Sequence, residues 1–228
     1  MIDYTQLFPA YDITNTHTED LINEDLGVTV LSPEKENHEL LQVLQNKVKQ
    51  ERALFKKAGK TYTGVIQNFF YRSLPEEEAY RDSLWNDFVQ HLNREINHCF
   101  VKLKKETLLK DEVFSVNDIY LQRYIKNSSP YGITPHRDQT GFLNLIAIYI
   151  VAGDSHFYIC KDKTGKNKKE IPAQEGDIIL MRGNYFNKKT IRPLHAVYGV
   201  QRERVTLTMR ELSSNSEERE KITNTYKK

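Results

Sequence analysis

The chain has 228 residues, 39% hydrophobic and 28% charged, with a formal net charge of +2. That is enough to bury a real core as one domain, and no apolar run approaches the ~20 residues that a membrane span needs. The near-balanced charge neither demands nor excludes a nucleic-acid partner. Its two cysteines, Cys99 and Cys160, make neither a disulfide framework nor a zinc ribbon.

The start, "MIDYTQLFPAYDITNTHTED", lacks a basic segment followed by an apolar one, so no signal peptide is expected and a reduced, cytoplasmic protein is the default. Ser32-Pro33 reads as the N-cap and first-turn proline of a helix carrying Leu40, Leu41, Leu44, Val48 and Phe55 on one stripe. A second helix is expected from near "LPEEEAYRD", where acidic residues suit the positive helix end, with Leu84, Phe88, Leu92, Ile96 and Phe100 as its apolar face. Between them, "GKTYTGVIQNFFYRSLP" is a candidate lid (Tyr62, Phe69, Phe70, Arg72), although an ordinary connecting strand is the simpler reading.

From about Val113 the pattern changes to short runs rich in Ile, Tyr, Val and Phe, separated by turn signals. "DIYLQRYI", "FLNLIAIYIV", "HFYICKD", "DIILMRG", "HAVYGV" and "RVTLTMREL" are the expected strands. So many short strands in one stretch predict a sandwich or barrel, the jelly roll among them. The basic tract "KDKTGKNKK" falls where a solvated hairpin tip belongs. The division expected within one domain is a helical N-terminal flank over 1–112, a β core over 113–212 and a polar tail over 213–228.

Chemistry concentrates at "PHRD" and beyond. His136 and Asp138 lie two apart, so in an extended segment they share a side. Two imidazoles and a carboxylate on one face of an iron(II) ion leave positions free for cosubstrate and O2, so a third ligand must come from a distant strand. His17 and His38 lie in polar early segments, and His91 and His98 belong to the second helix. His156 follows a turn and stays an outsider, whereas His195 opens "HAVYGV" after several strands and is the strongest candidate. Arg204, Thr206, Thr208 and Arg210 then share one strand face, and a guanidinium with a hydroxyl two residues on suits a carboxylate. An amphipathic edge strand explains the same alternation without any ligand.

Together these residues resemble the Fe(II)/2-oxoglutarate-dependent oxygenase superfamily: "HRD", the distal His of "LHAVYG", then "RVT", over roughly 113–212. The resemblance implies an α+β chain with a mainly β core, a cupin-like double-stranded β-helix (jelly roll) flanked by N-terminal helices. It implies that His136, Asp138 and His195 bind Fe(II) and that Arg204 with Thr206 holds the distal carboxylate of 2-oxoglutarate, O2 being the oxidant. "LQRYIKNSSPYGITPHRD" is similar to the strand that precedes H-x-D in AlkB-type demethylases, which places Tyr124 near the oxo-acid. Gln122 stands where those enzymes carry Asn. "RVTLTMR" is similar to their R-x-N-x-x-x-R ending, with Thr206 in place of the Asn, and makes Arg210 a second anchor. Amino-acid hydroxylases of the isoleucine type share the "HAV". The carboxylate at Asp138 speaks against halogenation, for which relatives carry a small residue there. Three functions follow: an oxygenase hydroxylating a small molecule such as a free amino acid; an AlkB-like or protein-modifying oxygenase; or a non-catalytic jelly-roll binding module.

Overall fold

A computed structural model describes residues 5–58, 65–74, 84–102, 108–126, 129–154, 156–189 and 191–215. Its helices are α1 (Asn15–Ile22), α2 (His38–Gln50) and α3 (Leu84–Lys102). Its strands are β1 (Val28–Leu31), β2 (Lys56–Lys57), β3 (Phe69–Ser73), β4 (Asp118–Tyr124), β5 (Tyr131–His136) and β6 (Phe142–Ala152), followed by β7 (Phe157–Cys160), β8 (Lys168–Glu170), β9 (Ile178–Arg182), β10 (His195–Tyr198) and β11 (Arg204–Leu212).

Two sheets face each other. The larger has the order β1-β9-β6-β11-β4-β3-β2 and the smaller β5-β10-β7-β8. From β4 onward the chain switches between them: β4, β6, β9 and β11 in one, β5, β7, β8 and β10 in the other, every pairing antiparallel. That is the winding of a double-stranded β-helix, as the sequence predicts.

The run "FLNLIAIYIV" shows no polar alternation because β6 is buried on both faces. Leu145, Ala147, Tyr149 and Val151 join the cluster of the helices, while Ile146, Ile148 and Ile150 join the cluster between the sheets. Against the outer face pack Leu40, Leu41, Leu44 and Val48 of α2 and Trp85, Phe88, Leu92 and Ile96 of α3. Leu84 and Phe100 are only partly buried at the ends of that stripe. Both helices therefore brace the large sheet and leave the barrel interior to the strands.

Several expectations are corrected. Helix α2 does not open at Ser32-Pro33. Its N-cap is Asn37, whose side chain accepts from the Leu40 amide at 3.0 Å, while Pro33 forms a bridge with Tyr11 and the next amide, Glu34, donates to the Ala10 carbonyl. Phe55 is buried but follows the helix in a short 3-10 turn. The early residues also contribute strands, with β1 pairing β9 and β3 pairing β4. In the lid candidate, Phe69, Phe70 and Arg72 belong to β3, the ordinary strand, and Tyr62 lies outside the described residues. The basic tract forms the expected tip between β7 and β8, and the tail after residue 215 lies outside the described residues. Cys99 and Cys160 are buried thiols that form no disulfide among the described residues. Among the described residues no helix is long and apolar enough to cross a membrane.

Candidate metal centre and carboxylate clamp

His136 closes β5 and His195 opens β10, and the two are register partners in the small sheet. Antiparallel pairing brings together residues 59 apart in sequence, their ring centroids 4.3 Å from each other. Asp138 follows in the loop before β6. Its carboxylate oxygens lie 3.6 Å from His136 Nε2 and 3.8 Å from His195 Nε2. One ligand atom from each of the three lies within 4.8 Å of the others. The structure thus gathers the sequence-predicted triad, while His156 faces Asp154 instead.

The tautomers suit a metal. His136 Nδ1 donates to the Thr134 carbonyl at 2.9 Å and His195 Nδ1 to the Pro193 carbonyl at 3.3 Å. Each ring spends its proton on the backbone two residues earlier, which leaves the Nε2 lone pairs turned toward Asp138. Burial, then the neighbouring His136, push the His195 pKa down to about 4, against the pull of Asp138. For Asp138 burial acts upward, but His195, His136 and the Arg210 guanidinium together hold it well below the usual carboxylate range. At neutral pH the site is a neutral imidazole beside an ionised carboxylate, the protonation states that ligation needs.

Deeper in the barrel, β11 turns Val205, Leu207 and Met209 toward the helices and its alternate residues inward. Arg204, Thr206, Thr208 and Arg210 stand opposite Tyr124, Gln122, Tyr120 and Asp118 of β4. Arg204 is 1% exposed, its Nε donating to the Asp154 carbonyl at 3.1 Å and its guanidinium 5.0 Å from the Tyr124 ring centroid. No carboxylate pairs with it among the described residues. Its Nη2 and the hydroxyl of Thr206 are buried without a hydrogen-bond partner among the described residues. Two orphaned donors on one inward face, one of them charged, are costly unless a ligand supplies the acceptor. A carboxylate is the kind of acceptor that would complete both. Gly132 contributes by absence: a Cβ there would lie 2.7 Å from the Tyr124 ring, so the glycine lets that ring settle beside Arg204.

The other candidates are placed differently. Gln122 accepts from Thr208 at 3.2 Å. Arg210 is paired with Asp118 and lies 3.7 Å from the Phe142 ring centroid. Phe157, which no sequence pattern singles out, stacks on His195 with centroids 5.3 Å apart. Phe157 and Tyr124 belong to the same inner cluster, so triad and clamp look onto one interior.

No family model and no curated protein matches the sequence. Solved structures do. A Trichoplax adhaerens prolyl hydroxylase, determined with a hypoxia inducible factor peptide, aligns over 90% of this chain and 90% of its own, with TM-score 0.57 and 10% identity. A Pseudomonas putida prolyl-4-hydroxylase aligns over 87% of this chain and 97% of its own, with TM-score 0.55 and 12% identity.

The fold is that of the 2-oxoglutarate oxygenases. HygX of Streptomyces hygroscopicus, determined with nickel, 2-oxoglutarate and hygromycin B, shares this oxygenase fold at TM-score 0.55 and 8% identity, over 89% of this chain and 88% of its own.

Proposed function

We propose that this protein is an Fe(II)- and 2-oxoglutarate-dependent oxygenase that hydroxylates an unactivated C–H bond of a small molecule such as a free amino acid. The observation that carries the reading is the conjunction of a preset His136/Asp138/His195 donor set with the partnerless Arg204 Nη2 and Thr206 hydroxyl inside the same barrel. A binding module has no use for both.

His136, Asp138 and His195 would hold the metal, and Arg204 with Thr206 would hold the distal carboxylate, Tyr124 flanking it. Held there, Fe(II) would supply the activation of O2, the oxidant, with two electrons from 2-oxoglutarate, which would leave as succinate and CO2, and two from the substrate C–H bond. Thr134 and Pro193 orient the two imidazoles through their carbonyls. The apolar walls from Phe157, Ile133, Ile148 and Val197 keep water from the clamp, which strengthens the charge-assisted bonds made there. A cleft of about 770 Å³ touches Ile159, the other register partner of His195, and is lined by Asp20, Asp25, Lys161, Lys168 and Lys169; neither the triad nor the clamp lines it, and its size and polarity suit a small polar molecule.

Succinate release with Fe(II), ascorbate and O2 tests the proposal, across free amino acids and related metabolites, proline-containing peptides and methylated oligonucleotides. Turnover by a small molecule is the expected result. Turnover by peptides or oligonucleotides alone reverses the substrate assignment, and no 2-oxoglutarate consumption under any condition favours the binding module.

A further inference from the structure

Arg192 stands beside the triad without a task in the reading above. It lies in the approach to β10, three residues before His195, and every carbonyl of that approach is engaged. Ile191 accepts from Arg182 Nε at 3.0 Å, Arg192 from Arg137 Nε at 2.9 Å, Pro193 from His195 Nδ1 at 3.3 Å and Leu194 from the Cys160 amide at 2.7 Å. Arg182 is itself fixed by the carbonyls of Leu21 and Asn23. The backbone that carries the Arg192 side chain is therefore clamped from both flanks, which lowers the ordering cost for anything that binds the side chain.

The side chain itself is unfinished. Its Nε is buried and has no hydrogen-bond partner among the described residues. The Arg192 backbone is tied at 2.9 Å to Arg137, which stands in the chain between His136 and Asp138, and it lies three residues before His195, so the residue sits beside the metal ligands. Asp138 is committed to the triad, and neither Arg137 nor Arg192 forms an ion pair among the described residues. An exposed Arg137 and a half-buried Arg192 thus place two guanidiniums at the barrel mouth without an acid of their own. An unpaired buried N–H destabilises the fold, a cost that a bound acceptor removes.

That acceptor has two possible sources. The cosubstrate is already matched at its far end by Arg204 and Thr206, deep between the sheets, and at its near end by the metal. The second source is the molecule being oxidised. We propose that Arg192, with Arg137 beside it, receives a carboxylate of the primary substrate and so selects carboxylic acids over their neutral analogues. A planar guanidinium matches a carboxylate by a pair of parallel bonds. The inference rests on the metal reading and narrows it: the substrate is an acid, and the C–H bond presented to the triad belongs to the part of it that Arg192 does not grip.

The test is an anaerobic titration of the Fe(II)- and 2-oxoglutarate-loaded protein, following perturbation of the metal-to-oxoglutarate absorption band. The probes are the proteinogenic L-amino acids, their N-acetyl derivatives and short monocarboxylic acids, each set against its primary amide. Acids are expected to perturb the band of the wild type at least about 30-fold more tightly than their amides. Arg192→Gln should erase that ratio, and Arg192→Lys should restore part of it. Equal response to acid and amide, no response to any acid, or an unaltered ratio in Arg192→Gln overturns the proposal. So does a loss in Arg192→Gln that falls on 2-oxoglutarate affinity instead of on the probes. A wild type that never forms the band overturns the metal reading itself, an outcome distinct from all of these.

Discussion

A buried guanidinium with no acid facing it is hard to explain by stability alone. Arg204 is 1% exposed, and its unfinished Nη2 lies on the same strand face as the unfinished hydroxyl of Thr206. Truncating one partner of a buried, charge-assisted pair costs roughly 2–5 kcal/mol. Arg204→Ala is accordingly expected to weaken 2-oxoglutarate binding by at least about 30-fold while Fe(II) still binds, read by anaerobic titration with each in turn. Unchanged cosubstrate affinity would place the dicarboxylate elsewhere. At this scale much was legible beforehand: H-x-D, the late histidine and the alternation of "RVTLTMR" are local patterns, and the structure brings the three triad side chains together, with Asp138 in the loop after β5 and not in an extended segment. The residues around them were not. That Thr134 and Pro193 would fix the ring tautomers by their carbonyls has no side-chain signature, because a backbone acceptor can be any residue. The value of Arg192 depends on which acids are absent from its surroundings, and a sequence does not show absences in space.

The helices illustrate a different balance between local and tertiary forces. The stripe of α2 was visible because its apolar spacing is periodic, but its start was misread: Ser-Pro is a sound local signal, and the pairing of Pro33 with Tyr11 overrides it. Strand β5 contains Gly132 and Pro135, both strand-breaking in isolation, so it is missing from the strands expected from apolar runs alone. Strand β1 and helix α1 are short, and their burial depends on β9, which is distant in sequence. Elsewhere α2, α3 and β3 meet at a compact polar joint at the end of α2. Glu51 accepts from Trp85 Nε1 of α3 at 2.9 Å, pairs with Lys47 at 3.1 Å, and pairs with Arg72 of β3, which is 2% exposed. Glu51→Ala removes an acceptor from the buried Arg72 guanidinium and from the indole N–H together, and should cost roughly 3 kcal/mol. Urea unfolding reads this as a lower midpoint with an unchanged slope. A midpoint equal to the wild type would mean that apolar packing alone joins α2, α3 and β3.

Across the whole molecule, the jelly roll explains why such separated residues meet. Switching sheets at nearly every strand sets β5 beside β10, so His136 and His195 face each other by register rather than by proximity in sequence. The same winding puts β11 next to β4 and aims Arg204 and Thr206 inward. Fold class could be read from the number and spacing of apolar runs. The order of strands within each sheet could not, since antiparallel partners are chosen by long-range packing that no local window contains. Solved structures at 8–12% identity preserve this winding, which fits a fold maintained by pattern rather than by particular side chains. The most direct measurement is anaerobic calorimetric titration of the metal-free protein with Fe(II). The wild type should bind one ion per chain, and His136→Ala and His195→Ala should each lose that stoichiometric binding while keeping the wild-type far-ultraviolet circular dichroism. Tight one-to-one binding that survives His136→Ala, or a well-folded wild type that binds no iron, would contradict the account.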